Sequence, residues 1–321
     1  MNRSGHAEPG VLVSVVRTVC FTSVSLVFSV STPLIPIPVA ALVMATACVP
    51  AQPLGSGPDP RAVQPERPSV ATHAGTVAPG YAELETGVER DRVADGSHAF
   101  LVPTELKLGL APRAQVSVFV PSSSATGVAF GIGDLAAGVK WRIVDGDGPL
   151  QRFAVLPTIK LATGSDRGTH TTDAGLLLID SRTIGAASLD LNVGVTRRSS
   201  SGIIAPRTST LWTGSLGIPV AGPVGWQLEC FGYPGTHGPA GRAPIVAILT
   251  GPTLGAWRTL ALDAGTIVPV EGPPARAIYA GLVTNLGRLH RDPGPARPAV
   301  TSWPARGTRR PGLRTGYFCE R

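Results

Sequence analysis

The chain has 321 residues, 43% hydrophobic and only 15% charged, with 39 glycines and 31 prolines. That length holds one large domain or two small ones, and the body has no clean apolar run long enough for a membrane helix, which argues against a helical membrane protein. The formal charge is +7, but residues 290–321 hold seven arginines against Asp292 and Glu320, so the rest is close to neutral; without a basic stripe interleaved with aromatics, the charge does not indicate a nucleic-acid partner.

Taken in chain order, residues 1–51 are expected to be a signal peptide and leader. Arg17 precedes a mostly apolar stretch from Phe21 to Ala47, interrupted by Pro33, Pro36 and Pro38. Val39–Ala47 has the length of a signal-peptide core, and Ala45-Thr46-Ala47 and Val49-Pro50-Ala51 are small-x-small cleavage candidates. Lipoprotein processing at Cys48 is the rival. Residues 52–78 are rich in Pro, Gly, Ser and Ala, show no periodicity, and are expected to form a flexible periplasmic linker.

From residue 79 to 289 the pattern changes. Segments of about ten residues alternate apolar and polar side chains, as a strand with one greasy and one wet face requires. The spans are 81–90, 99–110, 115–121, 133–144, 152–163, 173–181, 188–197, 208–219, 224–233, 243–253, 258–269 and 276–287. Short turns at every second junction alternate with longer polar loops such as 122–132 and 164–172. The expected fold is all-β, a single up-and-down antiparallel transmembrane β-barrel of about 12 strands, with short turns toward the periplasm.

The alternation assigns the faces. Val102, Leu106 and Leu108, then Leu135, Val139, Trp141 and Ile143, then Phe153, Val155 and Ile159, and Leu189, Leu191 and Val193 are assigned to lipid. The lumen-facing candidates are Glu83, Glu85, Glu105, Asp134, Lys140, Arg142, Arg152, Lys160, Asp190 and Asp263. Mid-depth charges facing lipid cost several kcal/mol each, whereas lumen charges meet water or one another. Leu176–Ile179 is apolar on both faces and leaves its register open. Trp141, Phe153, Trp226 and Trp257 fall near short turns, as an interfacial aromatic girdle would.

The segment Gly131-Ile132-Gly133-Asp134-Leu135-Ala136-Ala137-Gly138-Val139-Lys140-Trp141-Arg142 resembles a GxGDLxxGxKYR stretch of the MetA-pathway phenol-degradation family. Leu156–Gly164, Leu189–Gly194 and Leu260–Gly265 are similar to further strands of that family, and the resemblance covers roughly residues 80–289. It implies an outer-membrane barrel with a role in the passage of hydrophobic or aromatic compounds. In a departure from such barrels, the last strand is followed by a Pro/Arg-rich tail, residues 290–321, expected to be disordered.

The expected function is a passive channel for small, aromatic or hydrophobic solutes, with outer-membrane lipid and the barrel-assembly machinery as partners. Opposed charge clusters, Glu83, Glu85 and Glu105 against Lys140, Arg142, Arg152 and Lys160, would set up a transverse field in an open pore; paired, they would plug it. An enzyme is not expected: no nucleophile motif, cofactor fingerprint or metal-ligand spacing occurs, though His98, His170 and His237, with Ser97, Asp166 and Asp173, would be the residues of a lipid-modifying site. A soluble lipid-carrying barrel is a third reading. Cys230 is either free or bridged to Cys319.

Overall fold

A computed structural model describes residues 59–92, 96–125, 128–146, 151–164, 167–200, 206–236, 241–272 and 276–289. The expected leader, the Cys48 site and the tail lie outside the described residues, as do Asp166, His237 and Cys319; Cys230 is a free thiol.

The strands are β1 (Tyr81–Arg92), β2 (His98–Ala111), β3 (Ala114–Ala125), β4 (Val128–Ile132), β5 (Ala136–Asp145), β6 (Arg152–Lys160), β7 (Asp173–Ile184), β8 (Ala187–Arg198), β9 (Thr208–Ala221), β10 (Val224–Tyr233), β11 (Ile245–Trp257), β12 (Leu260–Glu271) and β13 (Arg276–Arg288). Apart from β4 and β5, chain neighbours pair antiparallel, and β1 pairs with β13 from Tyr81↔Arg288 to Arg92↔Arg276, closing the cylinder. Closure removes the free edges of the long strands; among the described residues β4 pairs on one side only, with β3. Both β4 and β5 pair with β3, at Ser122–Ala125 and Ala114–Phe119 respectively. They form one stave interrupted at Gly133–Leu135, so the barrel has twelve staves.

Two-residue turns close four of the five hairpins at one end, β5–β6 having the longer connection 146–151. Gly185 and Gly222 lead two of them with φ of 61° and 53°, values that a Cβ would oppose and that the twist of tight hairpins demands. The opposite end carries longer connections, 161–172 and 199–207 among them. The stretch 122–132 departs from its expectation as a polar loop. Ser122–Ser124 continue β3 and pair with Phe100–Val102, and Val128–Ile132 folds back on them. Serine hydroxyls leave backbone pairing untouched, so polarity alone misreads such an outer strand end.

The exterior is apolar. Val139, Trp141, Ile143, Ile159, Leu191, Val193, Trp226, Leu228 and Ile278 are all exposed. Trp141, Trp226 and Trp257 stand exposed toward the short-turn end, and Phe100 and Phe130 toward the other. The register that the sequence left open is fixed from inside. Leu177 and Ile179 point inward and pack with Ala154, Leu156 and Ala74, while Leu176 and Leu178 face out.

The largest departure concerns residues 59–80. Instead of a free linker, this segment lies inside the barrel, with Ala71, Ala74 and Val77 fully buried. It enters at the short-turn end, where the Val63 N–H donates to the Arg258 carbonyl at 3.0 Å. It passes β1, crosses to β10, β8 and β7, and returns past β5 and β3 to Gly80, whose N–H donates to the Gly109 carbonyl at 2.8 Å.

Replacing Val193, mid-strand on the outer face, with arginine should lower unfolding stability in phospholipid vesicles by about 2–4 kcal/mol, the cost of a cation facing hydrocarbon. Urea titration followed by tryptophan fluorescence measures it; no loss would place that face in water.

Candidate functional site: the occupied lumen

The internal segment has no regular secondary structure. Its backbone N–H groups therefore find no strand partner, and a buried unpaired N–H costs about 1–3 kcal/mol. The wall supplies side-chain acceptors. The N–H groups of Gln64 and Glu66 donate to Glu83 and Glu85, both at 2.8 Å. Those of Val70 and Ala71 donate to the two oxygens of Glu229 at 3.1 and 2.8 Å. Thr72 is held on both sides by Asn192: its N–H donates to Oδ1 at 2.7 Å and its carbonyl accepts from Nδ2 at 2.9 Å. The Ala74 N–H donates to the Ser181 hydroxyl at 2.8 Å and the Val77 N–H to Gln115 Oε1 at 3.0 Å. Prolines 60, 65, 68 and 79 have no N–H to satisfy.

Two lysines complete the arrangement. Lys107, opposite Glu83 in register, is fully buried and pairs with Glu83 at 2.6 Å and with Glu85. Its ammonium also donates to the Gln64 carbonyl at 2.5 Å. Lys140 pairs with Glu66 of the internal segment and donates to the His73 carbonyl at 3.0 Å. Buried ions of this kind persist only when paired and hydrogen-bonded.

The expected charge clusters thus do not face each other across an open pore. Glu83, Glu85 and Lys140 are buried against the internal segment, which brings Glu66 between the lysines. Glu105 faces inward above them. Asp190 accepts from the Ser181 hydroxyl at 2.5 Å, and Asp263 meets Arg67 at 3.5 Å. Arg142 lies near the β2–β3 turn, where its Nη2 donates to the Pro112 carbonyl at 2.9 Å and Nε lies 3.3 Å from Asp145. Arg152 is half-buried at the start of β6, beside Ser181 of β7. Glu66 and Arg67 were not legible as site residues, because nothing local in a Pro-rich stretch marks it as an insert.

A second cluster lies at the long-loop end. In the break between β4 and β5, Asp134 accepts from Lys160 at 2.7 Å, from the Gly164 N–H at 2.9 Å and from the Thr169 N–H at 2.8 Å. Burial pushes its pKa up, but the Lys160 bond and the two backbone donors outweigh that, and the carboxyl is held below its ordinary value of 3.8. A Cβ on Gly164 or Gly168 would collide with Asp134 or the backbone beside it, so these glycines allow the loop to close over the carboxylate. Asp173 accepts from Thr171 and pairs with Lys160 and Arg198 at 3.4 and 3.5 Å. These contacts tie it into the loop clamp. Among the described residues, no group of His, Cys, Asp and Glu is arranged to hold a metal ion.

The segment divides the lumen into two chambers. The one toward the long loops has a volume of about 240 Å³. Its lining mixes apolar side chains, Leu211, Leu249 and Ile267 among them, with charged ones, Glu89, Glu105 and Lys160 among them, and Tyr279 and Glu89 are neighbours in register on β13 and β1. The one toward the short turns has a volume of about 410 Å³ and is lined by Ser188, Gly217, Gly225, Gln227 and Asp263 among others.

Replacing Lys107 with methionine strands buried carboxylates and should cost about 3–5 kcal/mol, read as a fall in the urea midpoint; an unchanged midpoint would mean that this lysine is solvated. The Asp134 clamp carries a pH signature. A depressed pKa contributes stability that is present above 3.8 and is lost as pH falls through the lower folded value. Amide exchange at Gly164 and Thr169, corrected for intrinsic rates, should stay protected down to that value and rise below it. Asp134→Asn should show the unprotected rate throughout.

No protein-family model matches the chain, and no curated protein matches it in sequence. Among solved structures, the chain is similar to the COG4313 outer membrane channel from Pseudomonas putida F1, with 11% identity and a TM-score of 0.53, over 66% of this chain and 97% of that one. It is similar to the KdgM porin with 12% identity and a TM-score of 0.44, over 63% and 98%, and to the CymD monoaromatic hydrocarbon channel with 8% identity and a TM-score of 0.39, over 66% and 90%. At such identity the first likeness shows the fold, an outer-membrane type of barrel, and the other two add no argument.

Proposed function

We propose that the chain is an outer-membrane channel for small molecules with an apolar, including aromatic, body, narrowed by its own segment 59–80. The observation that carries this reading is the pair of chambers on either side of that segment. A barrel built only to be rigid would fill its axis with wall side chains; here the axis holds a separate peptide held mainly by hydrogen bonds that water could replace. The apolar exterior supports insertion in an outer membrane, with export and the barrel-assembly machinery as its route there. The upper chamber supports the solute class: its lining offers Leu, Ile and Tyr side chains beside charged groups. Membership of the MetA-pathway phenol-degradation family is part of this proposal and rests on the short segments that resemble it. The role is transport, without catalysis.

The second reading, a plugged structural barrel, is favoured by the number of wall groups that grip the segment. Conductance decides between them. In the full-length double substitution Glu229→Ala and Asn192→Ala, the segment loses four hydrogen bonds, each worth about 1–3 kcal/mol. In planar bilayers this variant should pass ion current well above that of the unmodified chain. Silence, with heat-modifiable gel migration retained, would favour the structural barrel.

A further inference from the structure

The geometry points to Arg67 as the residue that closes the neck between the two chambers, so that small solutes pass when its side chain swings aside while the rest of the internal segment stays in place. This rests on the channel reading above. Among the described residues, Arg67 is the one that lines both chambers. Its guanidinium lies across Gly87 and Gly281, which are paired in register on β1 and β13. A Cβ built on either would come within 2.4 Å of the Arg67 side chain. Two inward-facing glycines in register thus make a shallow trough at the barrel seam into which a flat side chain settles.

The hold on Arg67 differs from the hold on its neighbours. The backbone on either side is anchored, at Glu66 N–H to Glu85 and at Val70 N–H to Glu229. Arg67 itself meets Asp263 at 3.5 Å, longer than a good charge-assisted hydrogen bond. Its Nε and the Asp263 Oδ1 are both buried with no hydrogen-bond partner. Rotating the side chain breaks this one long ion pair, whereas moving the backbone would break the Glu85 and Glu229 anchors together. The other flank of the neck is a polar contact of small groups, Ser69 with Ser215 at 3.3 Å and Gln227 donating to Ser69 at 3.0 Å.

The pair also sets selectivity. With Arg67 in place, the neck is close to neutral. Without its cation, Asp263 is left as the unpaired charge at the neck, below a chamber whose charged lining is mixed, Glu85 being paired with Lys107 and Asp173 with Lys160. Fixed carboxylates lining a narrow passage favour cations.

The test uses full-length Arg67→Ala and Arg67→Ala/Asp263→Asn in planar bilayers, beside the Glu229→Ala/Asn192→Ala variant. The single substitution should give small, stable steps with potassium favoured over chloride severalfold. Adding Asp263→Asn should keep the step size and abolish the preference. Steps as large as those of the anchor-loss variant would show that Arg67 only pins the segment, and would overturn the inference. So would a silent Arg67→Ala beside a conducting anchor-loss variant. Silence of both would overturn the channel reading, and this inference with it.

Discussion

A peptide that enters a lumen without becoming a strand carries its N–H groups in with it, and every one that is buried must be met. The rest of this structure depends on that constraint. The wall answers with Glu83, Glu85, Glu229, Asn192, Ser181 and Gln115, each aimed at a specific N–H of residues 64–77. Carboxylates accept such bonds well because the bond is charge-assisted, but they bring negative charge into a confined space. Lys107 and Lys140 are the compensation, and Glu66 links both lysines to the segment. Polar wall residues, buried lysines and an inserted peptide are therefore one arrangement, and removing any of the three leaves the other two unsatisfied.

The same logic divides the lumen. Where the segment passes closest to β10, β8 and β7 it is tied down by backbone hydrogen bonds, and Ala74 packs against Leu156, Leu177 and Ile179. On the seam between β1 and β13 the wall is stripped to glycine and the contact is made by one side chain. On β1 the two meet: Glu83 and Glu85 grip the segment's backbone beside the glycine trough. At the outer rim Asp134 repeats the principle on a smaller scale: a carboxylate placed in a break between β4 and β5 gathers backbone donors from the loop above it.

How much of this was readable in advance follows from the range of each interaction. Val139, Trp141 and Ile143 alternate with Lys140 and Arg142, and a period of two assigns their faces without further information. Leu176–Ile179 carries no such alternation, and its register was settled only by Ala74, more than a hundred residues away in the chain. Asp134 was legible as an inward carboxylate but not as a clamp, because Gly164 and Thr169 reach it only through a loop closure that no local pattern encodes.

The sequence by itself determined the kind of barrel: the facing of most strands and the alternation of tight and long connections are nearest-neighbour properties, written in side-chain periodicity and turn residues. Only the tertiary structure decided what fills the barrel. Residues 59–80 have the composition of a linker because a segment that must not pair as a strand, and must leave few N–H groups unmet, is rich in proline and small residues in the same way that a linker is. The difference lies in acceptors on β1, β3, β7, β8 and β10, up to 159 residues distant, which no reading of the segment alone brings into view.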